Sequence, residues 1–371
     1  GDGCYVVDVD GKRYLDLLGG IAVNTLGHGH PALLEAITKQ AGQVVHISNF
    51  FTSEPQVELA EKLIEVCRAP AGSGVFFANS GSEALEAAVK LTRRTGRNRI
   101  IAAENAFHGR TTGALALTWK EAYRAPFEPL MPGVTHVPYN DEGALRAAVA
   151  DAGDDLAAVV LEPIQGEAGV VPATDVYLRL ARDLTRDAGA LLVLDEVQSG
   201  MGRTGHWLAH QATDVVPDAV TLAKGLAGGV PIGALVTYGP EVTGLLTGGQ
   251  HGSTFGGNPL ACVAGLAVVR TIESDGLLEH ANELGAYLRQ AVLGLGHPRV
   301  TGVRGRGLLL AITLGEPVAG SAMALARDAG FLVNAVAPDA IRLAPPLILT
   351  QAQADTFLDA LPGILDAAVP A

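Results

Sequence analysis

Three short stretches of the sequence carry side chains that could do chemistry. In LLVLDEVQS (191–199) an apolar run ends in Asp195 and Glu196. Ligands of open α/β sheets bind beyond the carboxyl ends of the strands. A carboxylate there is costly unless it meets a cation or hydrogen-bond donors. In VTLAKG (220–225) Lys224 follows a second apolar run and precedes the glycine-rich GLAGGVPIG. A desolvated lysine has a lowered pKa and can form a Schiff base with a carbonyl. In NSGSE (79–83) Ser80, Gly81 and Ser82 stand between a strand pattern and a helix pattern. Backbone N–H groups and hydroxyls at a helix N-terminus make a phosphate seat. A second glycine-rich loop, GGQHGSTFGGNP (248–259), offers Ser253 and Thr254.

Each signal alone has an ordinary explanation. Asp195 could start a loop, Lys224 could be a surface lysine, and Ser80 could be only an N-cap. Together they describe a carbonyl cofactor with a phosphate, a lysine to bind it and a carboxylate to tune it. Pyridoxal 5'-phosphate (PLP) meets all three needs.

These residues need elements to hold them. Strands are expected at 74–78, 99–103, 134–138, 157–161, 190–194, 219–222 and 232–237. Runs such as AAVVL and LLVLD are apolar on both faces, as in a parallel sheet covered by helices. Helices are expected between them: one opened by a capping box at Ser53–Gln56 with Val57, Leu59, Ala60, Leu63 and Ile64 inward, then 82–94 and 174–188. This alternation predicts an α/β domain over 46–260. Beyond it, helices at 259–274 and 277–293, shorter strands at 308–313, 331–334 and 340–343, and a last helix from Thr350 predict a smaller α+β domain over 261–371. Residues 1–45 open with a hairpin turning at Asp10-Gly11 and are expected to pack with that smaller domain.

Composition narrows the function classes. The chain has 371 residues, 48% of them hydrophobic and 18% charged, which excludes a disordered chain. Its net charge of −13 argues against a nucleic-acid or anionic-membrane partner. Cys4, Cys67 and Cys262 form no C-x-x-C pair and read as reduced thiols of a cytoplasmic protein. No apolar run approaches the ~20 residues of a membrane helix, and no basic, apolar start resembles a signal peptide. Residue 1 is Gly, so the natural N-terminus is expected to be absent or processed.

The chain resembles the class III aminotransferases of PLP fold type I, most closely their acetylornithine branch. The matching blocks run from GGIAVNTLGHGHP (19–31) to IRLAPPLILT (341–350). They include NSGSEALEAAVKLTR, FHGRTTGALALT, LEPIQGEAGV, LLVLDEVQSGMGRTG, TLAKGLAGGVPIGA, GSTFGGNPLA and RGRGLLL. The resemblance implies a large domain with a mostly parallel seven-stranded sheet, a smaller α+β domain and a homodimer with its active sites at the interface. It also implies roles. Lys224 would hold the cofactor and shuttle the proton, and Asp195 would pair with the pyridine nitrogen. Gln198 would bond near the ring oxygen and Phe107 would stack on the ring. Ser80, Gly81 and Ser82 would bind the phosphate, with Thr254 from the neighbouring subunit, and Ser253 would lie beside the substrate. Arg110 would hold the substrate's distal carboxylate and Arg342 the α-carboxylate of glutamate or 2-oxoglutarate, since guanidinium grips carboxylate in a bidentate way. Glu167 would pair with Arg342 while the ω-amino donor binds. The implied reaction exchanges an amino group between N-acetylornithine and 2-oxoglutarate, in arginine biosynthesis. A 4-aminobutyrate or other ω-amino-acid aminotransferase is the alternative, and an aminomutase a remote one.

Some positions depart from the family pattern. Ser82 and Leu85 stand where many relatives have Thr and Asn, and Ser keeps the hydroxyl. Ile21 stands where ornithine δ-aminotransferases carry a substrate-facing Tyr. Trp119 and Lys120 stand where a glycine-rich turn is common near the entrance, and the resemblance implies an opening segment that is expected to lie outside this sequence. His28 and His30 in GHGHP mimic a metal pair, as do His206 and His210, but without a carboxylate cluster or the Glu of HExxH both pairs read as structural. Gly302–Gly307 mimics a dinucleotide fingerprint without the strand–helix context that motif needs. Arg304 and Arg306 there read as surface ion-pair residues.

Overall fold

A computed structural model describes residues 1–370. The chain begins with an antiparallel hairpin, Tyr5–Val7 with Arg13–Asp16. Asp8 caps its turn by accepting the backbone N–H groups of Asp10 and Lys12.

Seven strands then build the main sheet: β1 (Gly74–Ala78), β2 (Arg99–Ala103), β3 (Val134–Val137), β4 (Leu156–Leu161), β5 (Leu191–Asp195), β6 (Ala219–Leu222) and β7 (Gly233–Thr237). Their spatial order is β1-β7-β6-β5-β4-β2-β3. Only β7 runs antiparallel to its neighbours, against β6 on one side and β1 on the other. The expected mostly parallel seven-stranded sheet is present. In β4 and β5 every residue is buried, because helices cover both faces and leave no side for polar alternation. Apart from the reversed β7, the strands end at one edge of the sheet, so the loops that leave their carboxyl ends converge there.

A second, antiparallel sheet has the order Val300–Arg306, Leu309–Leu314, Ala340–Leu343, Asn334–Ala337. The single strand expected over 331–334 is divided. Phe331–Leu332 pairs in parallel with Arg13–Asp16, and only Asn334–Ala337 joins the four-stranded sheet. The hairpin is thereby continuous with the C-terminal part of the chain, and Cys4, Leu15 and Leu17 share a core with Leu310, Ile341 and Phe357. A separate core surrounds the main sheet. The helix Pro259–Ser274 serves both, giving Cys262 and Val269 to the main core and Val268 and Ile272 to the other.

Several local expectations are corrected. The helix Glu54–Val66 begins where expected, but the Ser53 hydroxyl makes no cap bond. Gln56, the partner a capping box needs, donates instead to Asn49 Oδ1 at 2.9 Å. Val57 faces outward, 41% exposed, and the buried stripe is Leu59, Leu63 and Val66. Most of the Gly302–Gly307 pattern lies in the edge strand Val300–Arg306, an element absent from the expected strands. Arg306 meets Asp175 at 3.3 Å. His210 is buried and bonds Glu196 Oε1 at 2.9 Å, and His28 bonds Asp16 Oδ2 at 2.8 Å, each in a structural role as expected. No helix is long and apolar enough to cross a membrane among the described residues.

Candidate active site

The converging loops enclose a cavity of about 290 Å³, close to the lower end of the small-molecule range of roughly 300–1,000 Å³. Five loops leaving strand ends line it. They carry Ser80 after β1, Phe107 after β2, Glu162 after β4, Gln198 after β5 and Lys224 after β6, with Asp195 at the end of β5 itself.

Ser80 is the N-cap of the helix Gly81–Arg93, accepting the Glu83 N–H at 3.2 Å. Glu83 reaches back to accept the Asn79 backbone N–H at 2.9 Å. That reciprocal arrangement fixes the turn and is worth about 1 kcal/mol at the N-cap alone. It leaves the first-turn N–H groups aimed into the cavity end of the helix, where the dipole favours an anion. The turn is tight: a Cβ on Gly81 would come within 2.9 Å of the Val197 side chain, and one on Gly109 within 2.4 Å of Ser82 Oγ.

Asp195 is 4% exposed and fully engaged. Oδ2 meets His108 Nδ1 at 2.7 Å, and Oδ1 accepts from Thr221 Oγ1 and the Val197 N–H, each at 3.0 Å. Burial alone would push the His108 imidazole down, but its hydrogen bond to Asp195 and the charges of Asp195 and Glu162 carry it above the ordinary value. A carboxylate held by three partners keeps its orientation, as pairing with a ring nitrogen requires.

Lys224 adopts φ +43°, a left-handed conformation for a residue with a side chain. Strain of this kind costs about 1–3 kcal/mol and persists where the surroundings over-determine it, often at functional sites. Burial lowers the Lys224 ammonium to about 8, partly opposed by the charge of Glu167. That carboxylate is already committed elsewhere: Arg342 Nη1 donates to Glu167 Oε1 at 2.6 Å. The same nitrogen donates to Gln198 Oε1 at 2.9 Å and to Gly166 O at 3.1 Å, while Nη2 donates to Asn334 Oδ1 at 2.8 Å. Arg342 is 1% exposed and reaches from the second sheet to the cavity wall. Burial raises Glu167, but the charge and hydrogen bond of Arg342 outweigh it and hold the carboxyl below its usual range.

The sequence-predicted residues divide into two groups. Ser80, Gly81, Ser82, Phe107, Glu167, Asp195, Gln198 and Lys224 line the one cavity, and Arg342 backs it. Arg110 is exposed, and its backbone N–H donates to Ser82 Oγ at 3.3 Å. Ser253 Oγ accepts from Asn79 Nδ2 at 3.1 Å without lining the cavity. Thr254 is exposed and lines a separate groove with Asn49 and Gln56. Sequence reasoning missed His108 and Glu162. Glu162 is buried, accepts the Phe107 N–H at 3.2 Å, and is pushed by burial up to about 8. Its place directly after β4, at the sheet edge where ligands bind, was the available signal.

The residues fit pyridoxal 5'-phosphate. A helix N-terminus with two hydroxyls suits the phosphate, and Asp195 suits a ring nitrogen. Lys224, whose main opposing charge, Glu167, is spent on Arg342, suits a carbonyl. Phe107 supplies an apolar wall, and the glycines keep Cβ atoms out of the space.

The model of the aminotransferase class-III family matches residues 1–365. The acetylornithine aminotransferase of Mycobacterium tuberculosis (strain ATCC 25618 / H37Rv) is 58% identical over 371 residues, covering 100% of this chain and 92% of that protein. Among solved structures, the N-acetylornithine aminotransferase of Stenotrophomonas maltophilia K279a superposes with a TM-score of 0.86 at 38% identity, covering 99% of this chain and 94% of the other. The ornithine aminotransferase of Toxoplasma gondii, solved with partial occupancy of PLP at its active site, gives 0.91 at 31% identity, covering 98% and 89%.

Proposed function

The chain belongs to the class-III aminotransferases, PLP-dependent transaminases of fold type I, and on that premise we propose that it transfers the ω-amino group of N-acetylornithine to 2-oxoglutarate. The reaction gives N-acetylglutamate 5-semialdehyde and glutamate, a step of arginine biosynthesis, and runs in either direction. The observation that carries the reading beyond the family is Arg342 paired with Glu167 at 2.6 Å behind the cavity, with a second arginine, Arg110, beside Ser82.

Bound PLP supplies a carbonyl to take up the amino group and a ring to accept the electron pair left when the donor carbon loses its proton. Everything else is the chain's work. Ser80, Gly81 and Ser82 bind the phosphate, and Phe107 covers a ring face. Asp195, oriented by His108 and Thr221, holds the proton on the ring nitrogen. Gln198 donates toward the ring oxygen. Lys224 Nζ would hold the carbonyl group of the cofactor and would carry the proton to and from the donor carbon, as a lysine poised near neutrality can.

The arginines sort the two donors. N-acetylornithine enters amine first, and its carboxylate meets Arg110. It has nothing to offer a second cation near the reacting carbon, so Arg342 stays neutralised by Glu167. Glutamate places an α-carboxylate there, and Glu167 must yield Arg342 to it. A charge-assisted hydrogen bond of about 1.5–3 kcal/mol is exchanged for another, so one cavity serves both.

We assign the domains as 46–260 for PLP binding and 261–371, with 1–45 packed on it, for the smaller domain. We place the enzyme in the cytoplasm as a homodimer, with Ser253 and Thr254 completing the partner's site. The exposed Phe50, Phe51 and Phe255 near Thr254 support this reading.

Donor profiling with 2-oxoglutarate as acceptor tests the substrate. N-acetylornithine should exceed ornithine and 4-aminobutyrate in kcat/KM by at least about tenfold, the scale of one well-made contact. A preference for 4-aminobutyrate would move the enzyme to the neighbouring branch.

A further inference from the structure

Arg110 is held in an unusual way. Its guanidinium carbon lies 3.5 Å from the centroid of the Tyr123 ring, and its backbone N–H is fixed on Ser82 Oγ. Tyr123 sits half-buried on the short helix Glu121–Arg124. Its ring meets Phe107 edge to face, at 6.3 Å and 87°. Lys120 Nζ stands 4.9 Å from the same ring. Phe107 is the residue assigned to the cofactor ring, so one aromatic contact joins the cavity wall to the support beneath Arg110.

We propose that Tyr123 is a positioning residue for Arg110 that sets the enzyme's preference for donors carrying a distal carboxylate; the proposal rests on the reading of Arg110 given above. A guanidinium binds in two independent directions. Its face stacks on an aromatic ring, and its edge donates paired hydrogen bonds. With the face spent on Tyr123, the edge remains free and fixed for a carboxylate, so less rotamer freedom is lost when the donor arrives. Lys120 adds positive charge beside the same ring. Lys120 stands at the N-cap of the short helix Glu121–Arg124 that carries Tyr123, so one element positions both.

The holoenzyme and its Tyr123→Leu, Tyr123→Phe and Arg110→Ala variants test this. Two donors are compared: N-acetylornithine and N-acetylputrescine, which has the same chain without the carboxylate. Binding of the unreactive 2-acetamidopentanoate, which keeps the carboxylate and lacks the amine, is measured by calorimetry. Tyr123→Leu should raise the KM for N-acetylornithine and the Kd for 2-acetamidopentanoate about three- to tenfold, the scale of a partly desolvated cation–π contact. Its kcat should stay within about twofold, and kcat/KM for N-acetylputrescine should not move. Tyr123→Phe, which keeps the ring face, should match the parent. Equal losses on both donors would make Tyr123 merely structural and overturn the proposal, as would no loss on either or a Phe variant as weak as Leu. If Arg110→Ala discriminates between the donors and Tyr123→Leu does not, this proposal alone fails. If Arg110→Ala fails to discriminate, the assignment of Arg110 falls and takes this one with it.

Discussion

Lys224 combines burial, a strained backbone and a lowered pKa, and each has a consequence. Lys224→Ala removes the group proposed to hold the carbonyl and move the proton, so turnover should fall by at least about 10³-fold in a steady-state assay, within the range of a lost general base. Retained turnover would contradict the assignment. Because burial sets the Lys224 ammonium at about 8, the neutral amine grows as pH rises through that value. The rate at which apoprotein captures PLP should therefore climb from pH 7 to 9 and then level off, as stopped-flow absorbance would show. Glu162 behaves oppositely. Burial raises it to about 8, above its unfolded value, so its contribution to stability is fully present below about pH 4.5 and is lost as pH rises through 8. Glu162→Gln keeps an acceptor for the Phe107 N–H and cannot ionise. Its thermal midpoint relative to the parent should improve by a few degrees between pH 6 and pH 9, and a constant difference would remove the ionisation argument. Lys224 and Asp195 were legible because each ends an apolar run. His108 and Glu162 were not, because their importance lies in contacts between residues far apart in sequence, 87 positions for His108 and Asp195.

At the scale of elements, the parallel strands were the most legible part. Gly74–Ala78, Arg99–Ala103 and Ala219–Leu222 stand as read, because short runs apolar on both faces have few other uses. The helices Pro31–Ala41 and Glu142–Ala152 were not read. Each buries only two residues, Leu33 and Gln40 in the first and Leu145 and Ala152 in the second, so little of either helix belongs to a core. Turn geometry was legible only as glycine content. Gly109 shows what that content is for: φ is +134° and a Cβ would lie 2.4 Å from Ser82 Oγ. Gly109→Ala should displace the Ser82 hydroxyl and weaken PLP binding about tenfold, the loss of one good hydrogen bond. Fluorescence titration of the apoprotein would measure it, and an unchanged Kd would separate Gly109 from the phosphate seat.

At the scale of the molecule, the cavity depends on two sheets meeting. Arg342 comes from the second sheet, and Asp195, Gln198 and Lys224 come from the first. Arg203, 2% exposed in the turn after β5, bonds the carbonyls of Leu308 and Pro345 on the other side. Sequence pattern gave no access to this joint, since its partners are backbone carbonyls that any residue type provides. On this reading the two sheets together assemble a PLP site around Lys224. Reduction of the holoenzyme with borohydride, digestion and mass spectrometry test it most directly. A phosphopyridoxyl group should appear on the peptide containing Lys224 and on no other lysine. A modification confined to another lysine, or none after saturation with PLP, would contradict it.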